Sequence, residues 1–203
     1  APKADVDVQI NNASGTSITM NKGTVFTTTV DETSYQYVNN ADITITPVNG
    51  VYKFSNCTLY EGTLVTFKYT VDVNDPDQKF VIPSNRADTS TLKISVQNSV
   101  TDATISTYTF ASDYSNVDLN TKAYFLQEGQ DGRFEVYFGD GVSGVKLLDG
   151  NIVIMEYIVT NTTESNGASS FSLAGNVGGF TDVTITVNSV SQGGAEAETD
   201  DSI

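Results

Sequence analysis

The chain contains no histidine in its 203 residues. That absence removes Ser-His-Asp and Cys-His catalytic arrangements, histidine metal ligands and the usual pH switch near neutrality. Tryptophan is missing too. Cys57 is the one cysteine, so no internal disulfide can form; stability must come from packing, and the redox compartment is undetermined. Positive charge is scarce: 10 Lys and Arg stand against 25 Asp and Glu, for a net charge of −15. Phosphate binding needs clustered Lys and Arg, so nucleic acid is excluded as a main partner, and anionic membrane surfaces are disfavoured. The acidity serves solubility in the plain reading, and complements a basic partner protein in the sharper one. No apolar run approaches the roughly 18 residues of a membrane span, so no membrane insertion by a helix is expected. Ala1 to Asp5 carries no signal-peptide core and no initiator Met, and the other end stops within the acidic stretch Glu196 to Ile203. Both ends read as cut from a longer polypeptide.

What is abundant is strand signal. Val6, Val8 and Ile10 alternate with Asp5, Asp7 and Gln9; Leu92, Ile94 and Val96 with Lys93, Ser95 and Gln97; Phe134, Val136 and Phe138 with Glu135 and Tyr137; Val183, Ile185 and Val187 with Thr184 and Thr186. Each reads as a strand with one face on a core and one in water. Glycine pairs separate these runs at Ser14-Gly15, Asn49-Gly50, Asp131-Gly132, Asp140-Gly141, Asp149-Gly150 and Asn166-Gly167. Such pairs suit tight turns, because Gly accepts positive φ and Asn or Asp tolerates it. Ser112–Asn120 is the one stretch that reads as a short helical turn. Leu64–Val71 and Ile152–Val159 are apolar on both faces apart from Lys68 and Glu156, and predict central strands covered on both sides. Glu156 then lies near Lys68, or both charges sit at strand margins in solvent. The segment from Arg133 to Thr160 reads as strand, glycine-punctuated loop and longer strand: a hairpin with a shaped connection.

Candidate chemistry is thin. Asp72, Asn74, Asp75 and Asp77 offer oxygen to a calcium ion, but without the spacing of a calcium loop, and Asp75-Pro76 marks an ordinary turn. Gly139, Gly141 and Gly144 have G-x-G-x-x-G spacing, yet a strand follows where a nucleotide site needs a helix. Their glycines fit a bulged turn instead. Glu135 and Asp140 as a hydrolytic carboxylate pair have nothing in the sequence to set them across a cleft. Tyr35, Tyr37, Tyr52 and Tyr60 offer a sugar-stacking platform or are ordinary sheet residues. Asn56-Cys57-Thr58 and Asn161-Thr162-Thr163 match glycosylation acceptors, a weak pattern without secretory context. No catalytic residue, cofactor or metal site is expected.

An ordered series of short stretches carries more information than any of these motifs. It comprises Tyr60-Glu61-Gly62-Thr63-Leu64, Asn74 to Phe80, Asp88-Thr89-Ser90-Thr91-Leu92, Tyr124 to Glu128, and Asp131 through Gly141. Asp149-Gly150-Asn151-Ile152-Val153, Asn166-Gly167-Ala168 and Gly193-Gly194-Ala195-Glu196-Ala197-Glu198 complete it. The series covers most of residues 22–198. It resembles the baseplate wedge proteins of T4-like contractile-tail phages, within the broader baseplate J-like family. The resemblance implies a non-enzymatic structural component of the virion tail baseplate, an internal fragment of a longer chain, assembled in the host cytoplasm. It further implies contacts with other wedge proteins, self-association as a dimer or ring, and a part in relaying the trigger for sheath contraction.

The expected fold is all-β, with two antiparallel sandwich-like domains, one inserted into the other. Residues 1–60 plus 160–190 form a discontinuous domain, 61–159 the inserted one, and 191–203 a tail leading into a missing C-terminal region. Within this frame Phe138, Gly139, Asp140, Gly141, Gly144, Asp149 and Gly150 are expected to serve as a structural turn characteristic of the family. The rival reading is a secreted carbohydrate-binding or adhesin-like β-sandwich module.

Overall fold

The computed structural model describes residues 1–129, 131–161 and 163–194. The expected C-terminal tail, with Ala195 to Glu198 of the Gly-Gly-acidic stretch, lies outside the described residues from position 195 on. Among the described residues there is no helix, and fifteen strands carry an all-β fold. Two compact units divide the chain. One comprises Ala1–Leu64 together with the chain from Ile158 onward; the other is Val65–Tyr157.

The first unit holds β1 (Lys3–Ile10), β2 (Ile18–Met20), β3 (Val25–Val30), β4 (Thr33–Val38), β5 (Ile43–Ile45) and β6 (Tyr52–Glu61). The second is built from β7 (Thr63–Thr70), β8 (Phe80–Val81), β9 (Ala87–Gln97), β10 (Ile105–Phe110), β11 (Ala123–Glu128), β12 (Phe134–Phe138) and β13 (Ile152–Val159). The ends of β7 and β13 reach into the first unit. The chain closes with β14 (Ser172–Leu173) and β15 (Val183–Gln192), which return to the first unit.

In the first unit a six-stranded antiparallel sheet runs β14-β3-β4-β6-β1-β15, and β2 pairs with β5 in a separate two-stranded ribbon. Strand β1 shows why the alternation folds this way. Ala4, Val6, Val8 and Ile10 are all buried, while the residues between them are not. Val6, Val8 and Ile10 join Phe26, Tyr37, Phe54 and Leu59 from the same sheet, and Ile18 and Met20 from the ribbon, in one core.

Strand β6 changes phase halfway: Tyr52 and Phe54 face the core, and so do Cys57 and Leu59. An alternating strand can do this only with one extra residue. Asn56 supplies it, with φ of 51°, and the register to β1 shifts between Val6 and Val8. Asp7 fixes the bulge. Its carboxylate accepts from the Asn56 backbone N–H at 2.8 Å and from Asn188 Nδ2 at 2.8 Å, and pairs with Lys53 Nζ at 2.6 Å.

In the second unit the order is β7-β13-β9-β10-β11-β12-β8, antiparallel in its assigned registers except for the parallel pair β10–β11. Its two end strands meet: the Tyr69 hydroxyl on β7 donates to the Val81 carbonyl on β8 at 2.7 Å, and the Tyr69 and Phe80 rings lie edge to face at 5.7 Å. The sheet therefore curls toward closure. Edge-to-face contacts continue from Phe67 through Tyr69, Phe80 and Phe138 to Tyr108.

Three local expectations are corrected. Leu64–Val71 is not a covered central strand; β7 ends the sheet order and most of its residues are exposed. Its neighbour β13 is the strand buried on both faces, and Glu156 is buried within it rather than at a solvent margin. Ser112–Asn120 forms turns and bends, because Asp113 and Asp118 accept the N–H groups of Ser115 and Asn120 at 2.8 and 2.9 Å and divert them from a helix. The third correction concerns β12 and β13. They do not form a hairpin: β12 lies between β11 and β8, while β13 lies between β7 and β9.

Asp7 is held down to about 2 by the hydrogen bond from Lys53 first, then by the bonds from Asn56 and Asn188. A carboxyl whose folded pKa is depressed stabilises the fold above its unfolded pKa, about 3.9, and loses that contribution as pH falls toward the folded value. Urea denaturation between pH 7 and pH 2 is expected to show D7N less stable than wild type at pH 7 and the two converging as pH drops through this window. An equal gap at all pH values would contradict the assignment.

Candidate functional site

The connection from Phe138 to Asn151 is held by its own backbone. Gly139 admits no side chain: a Cβ there would lie 2.2 Å from the Gly144 carbonyl carbon. Gly141 and Gly144 take φ of 93° and 94°, and Gly141 N–H donates to the Gly144 carbonyl at 3.0 Å. The loop docks on the preceding turn, with Gly144 N–H on the Asp118 carbonyl at 3.0 Å and Val145 N–H on the Thr121 carbonyl at 2.9 Å. Its far end is tied elsewhere. Asp149 Oδ1 accepts the Val73 N–H at 3.1 Å, and Gly150 N–H donates to the Val71 carbonyl at 2.9 Å. Phe138 anchors the near end through its ring contacts with Phe80 and Tyr108.

Asp140 is spent on the turn. One of its oxygens accepts the N–H groups of both Ser143 and Val142 at 2.8 Å, and these bonds hold its carboxyl below the ordinary range. The same device recurs through the second unit. Asp72, Asp75, Asp88, Asp102, Asp113, Asp118, Asp131 and Asp140 each accept the backbone N–H two residues on. These are Asx turns, the local alternative to ladder hydrogen bonds. Much of the acidity of this unit is therefore turn chemistry. The proposed calcium cluster dissolves into it: Asp72 and Asp75 bond their own loop, and no group of three or more carboxylate or thiol residues among the described residues is arranged to hold a metal.

A shallow groove of about 450 Å³ lies on the second unit, lined by Lys79, Glu128, Asp131, Arg133, Glu135 and Tyr137 among others. Four of its five charges are paired within it. Lys79 pairs with Glu135 at 3.4 Å, and Arg133 Nε donates to Asp131 at 2.6 Å. Glu135 is thus engaged with a lysine here, while Asp140 caps a turn, and neither is placed to act with the other as acid and base. The four tyrosines do not form a platform either: Tyr37 and Tyr52 are core residues, Tyr35 packs against that core, and Tyr60 is half-buried on β6.

Sequence reasoning missed a buried polar network in the first unit. Glu61, 1% exposed, accepts from Thr160 Oγ1 at 2.7 Å, from Asn161 N–H at 2.8 Å and from Asn161 Nδ2 at 2.8 Å. On β4, opposite Glu61 in the register, Tyr37 shares hydrogen bonds through its hydroxyl with Ser165 Oγ at 2.7 Å and Ser191 Oγ at 2.5 Å. Burial pushes the Tyr37 hydroxyl upward from its ordinary pKa, keeping it a neutral donor. Together these bonds clamp Thr160, Asn161 and Ser165 to β4, β6 and β15. Gly62 beside Glu61 adds a steric lock, since a Cβ there would fall 2.1 Å from the Val159 carbonyl oxygen. No short motif announces such a network; the Glu61-Gly62 pair was visible only as one stretch of the family series.

Among the described residues the geometry therefore contains rigid loops and locked corners. No family model matches the chain. It is similar to the baseplate wedge protein gp6 of Enterobacteria phage T4, with 27% identity over 191 residues, covering 84% of this chain and 27% of that protein. The chain thus spans little more than a quarter of the length of the relative it matches.

The two ends of the glycine loop give separable stabilities. Gly139→Ala forces a Cβ into backbone and is expected to cost about 3 kcal/mol. Gly150→Ala meets open space and bears only the left-handed φ penalty, about 1 kcal/mol. Chemical denaturation of both variants tests the order, and a Gly139 variant as stable as wild type would refute the steric account.

Proposed function

We propose that this chain is a non-enzymatic structural part of a phage tail baseplate, built into the wedges that surround the tail hub. The observation that carries the reading is the similarity to a baseplate wedge protein along 84% of the chain. The structure's character supports it: all-β units with backbone-locked loops, turn-bound aspartates and internally paired charges make stiff spacers. In this reading the second unit is an insertion into the first. The wedge meets other wedge proteins and further copies of itself, it is assembled in the host cytoplasm, and it ends in the virion tail. A stiff relay of this kind passes the contraction trigger as rigid-body movement between neighbours, and the glycine turn from Phe138 to Gly150 serves geometry rather than chemistry.

The test uses the full-length protein. It is expected to copurify with contractile tails at fixed stoichiometry, and its loss is expected to leave tails without baseplates. Particles that assemble and contract normally without it would overturn the reading.

A further inference from the structure

One end of the second unit gathers exposed aliphatic side chains that its core does not use. Three connections meet there because β7 and β9 end, and β13 begins, on the same side of the sheet. Hydrogen bonds join them. Val73 N–H reaches Asp149 Oδ1 at 3.1 Å, Gly150 N–H reaches the Val71 carbonyl at 2.9 Å, and Asn151 Nδ2 reaches the Asn98 carbonyl at 2.9 Å. On these connections Val73, Val100 and Leu148 are 54%, 86% and 68% exposed, and Ile105 at the base of the middle one is 55% exposed. Isolated exposed aliphatics need no explanation, but a group on three mutually bonded loops marks an interaction surface.

The loops are built to hold these side chains out. In the hairpin from Asn98 to Thr104, Asp102 accepts Asn98 Nδ2 at 2.7 Å and Thr104 N–H at 3.0 Å, and Ser99 N–H donates to the Asp102 carbonyl at 3.1 Å. Val100 sits at the tip of that braced turn. Ordering cost has thus been met before any partner arrives.

Charge decides the occupant. Residues 71–78, 98–105 and 147–151 contain Asp72, Asp75, Asp77, Asp102 and Asp149 and no Lys or Arg; of the two lysines next to them in the same connections, Lys79 pairs with Glu135 at 3.4 Å and Lys146 sits against Gly141 in the glycine loop. All five aspartates are exposed. Asp102 is held down to about 2, by the Asn98 bond first and then those from Thr104, so it stays ionised. An aliphatic tip inside an acidic rim repels anionic lipid, and no metal-holding cluster among the described residues absorbs the charge. A second copy would bring the same acidic rim against it.

We propose that this tip docks into an apolar depression rimmed by Lys and Arg on a different protein. The proposal rests on the reading that the chain works by assembly with other proteins, and it names the chemistry of one such contact. The aliphatics supply the anchor, while the carboxylates steer encounter and fix the approach.

The test places a photo-crosslinking benzoylphenylalanine at Val100 of the full-length protein in infected cells. Mass spectrometry then identifies the adduct and the peptide joined to it. The expected adduct is a Lys- or Arg-bearing surface peptide of another polypeptide. With that partner purified, binding is expected to fall at least about tenfold in the V73S/L148S double variant, and about tenfold between low and high salt. Adducts only with copies of this chain, only with lipid, or none at all overturn the proposal, as does binding indifferent to both the double variant and salt. Whether the captured polypeptide belongs to the tail decides the baseplate reading separately, since a basic partner outside the tail would support the surface and sink that reading.

Discussion

The hydrogen bond from the Tyr69 hydroxyl to the Val81 carbonyl closes a problem set by composition. A chain without disulfides, and without helices among its described residues, has nothing there to lay over an open sheet face and nothing to staple its edges. A seven-stranded sheet in that position must curl until its inner face covers itself and its end strands meet. Tyr69 sits where this happens, joining β7 to β8 by its hydroxyl and by its ring against Phe80. The edge-to-face series running on to Phe138 and Tyr108 lines the curled interior with rings whose preferred geometry tolerates curvature. Once the sheet is curled, its connections gather at the two ends. The aliphatic tip at Val73, Val100 and Leu148 is one outcome of that closure.

The first unit meets a different constraint. Its return segment, residues 160, 161 and 163–168 as described, has no strand to belong to, so its backbone polar groups must find partners some other way. Glu61 and Tyr37 provide them from inside. Burying a carboxylate is costly, and the three bonds it accepts from Thr160 and Asn161 offset the cost only while that segment stays in place. Removing the carboxylate would take an acceptor from each of these donors, at about 1–3 kcal/mol for a buried one such as the Thr160 hydroxyl. The network therefore specifies one path for the chain more than it adds to stability. Gly62 enforces the same path sterically, as does the Tyr37 hydroxyl through Ser165 and Ser191.

Strand existence was legible wherever one face is wet. β1, β9, β12 and β15 alternate in sequence because a half-buried strand must. Phase and pairing were less legible. In β6 the core positions run Tyr52, Phe54, Cys57, Leu59, and the extra residue at Asn56 looks like noise until Asp7 is seen holding it. The β3–β4 turn uses Asp31 and Glu32 at φ of 47° and 65°, with no glycine to announce it. Leu64–Val71 read as central because its apolar content is high; local sequence cannot say that these side chains pack edge-on at a seam. The loop from Phe138 to Asn151 read as a hairpin because β12 and β13 are neighbours in sequence. Their partners are chosen by the whole sheet order, a non-local fact. The glycine requirement itself was readable, and Gly139 has a sharper reason than a bulge, since its Cβ position is occupied by Gly144.

The acidity of the chain is where sequence and structure together say most about mechanism. Read as composition, a charge of −15 is a statement about solubility and partners. Read on the structure, eight aspartates of the second unit each fasten a turn by accepting the N–H two residues on. A carboxylate fixed in this way is unavailable as a base, since protonating it releases the turn. It nevertheless remains a full negative charge at the surface. One residue type thus stiffens the loops and gives them their electrostatic sign. A protein assembled in this manner can present a shaped, charged surface at low entropic cost. That is why the surface groups which the turns do not explain, the aliphatics at the braced tip, carry more functional information than any of the carboxylates.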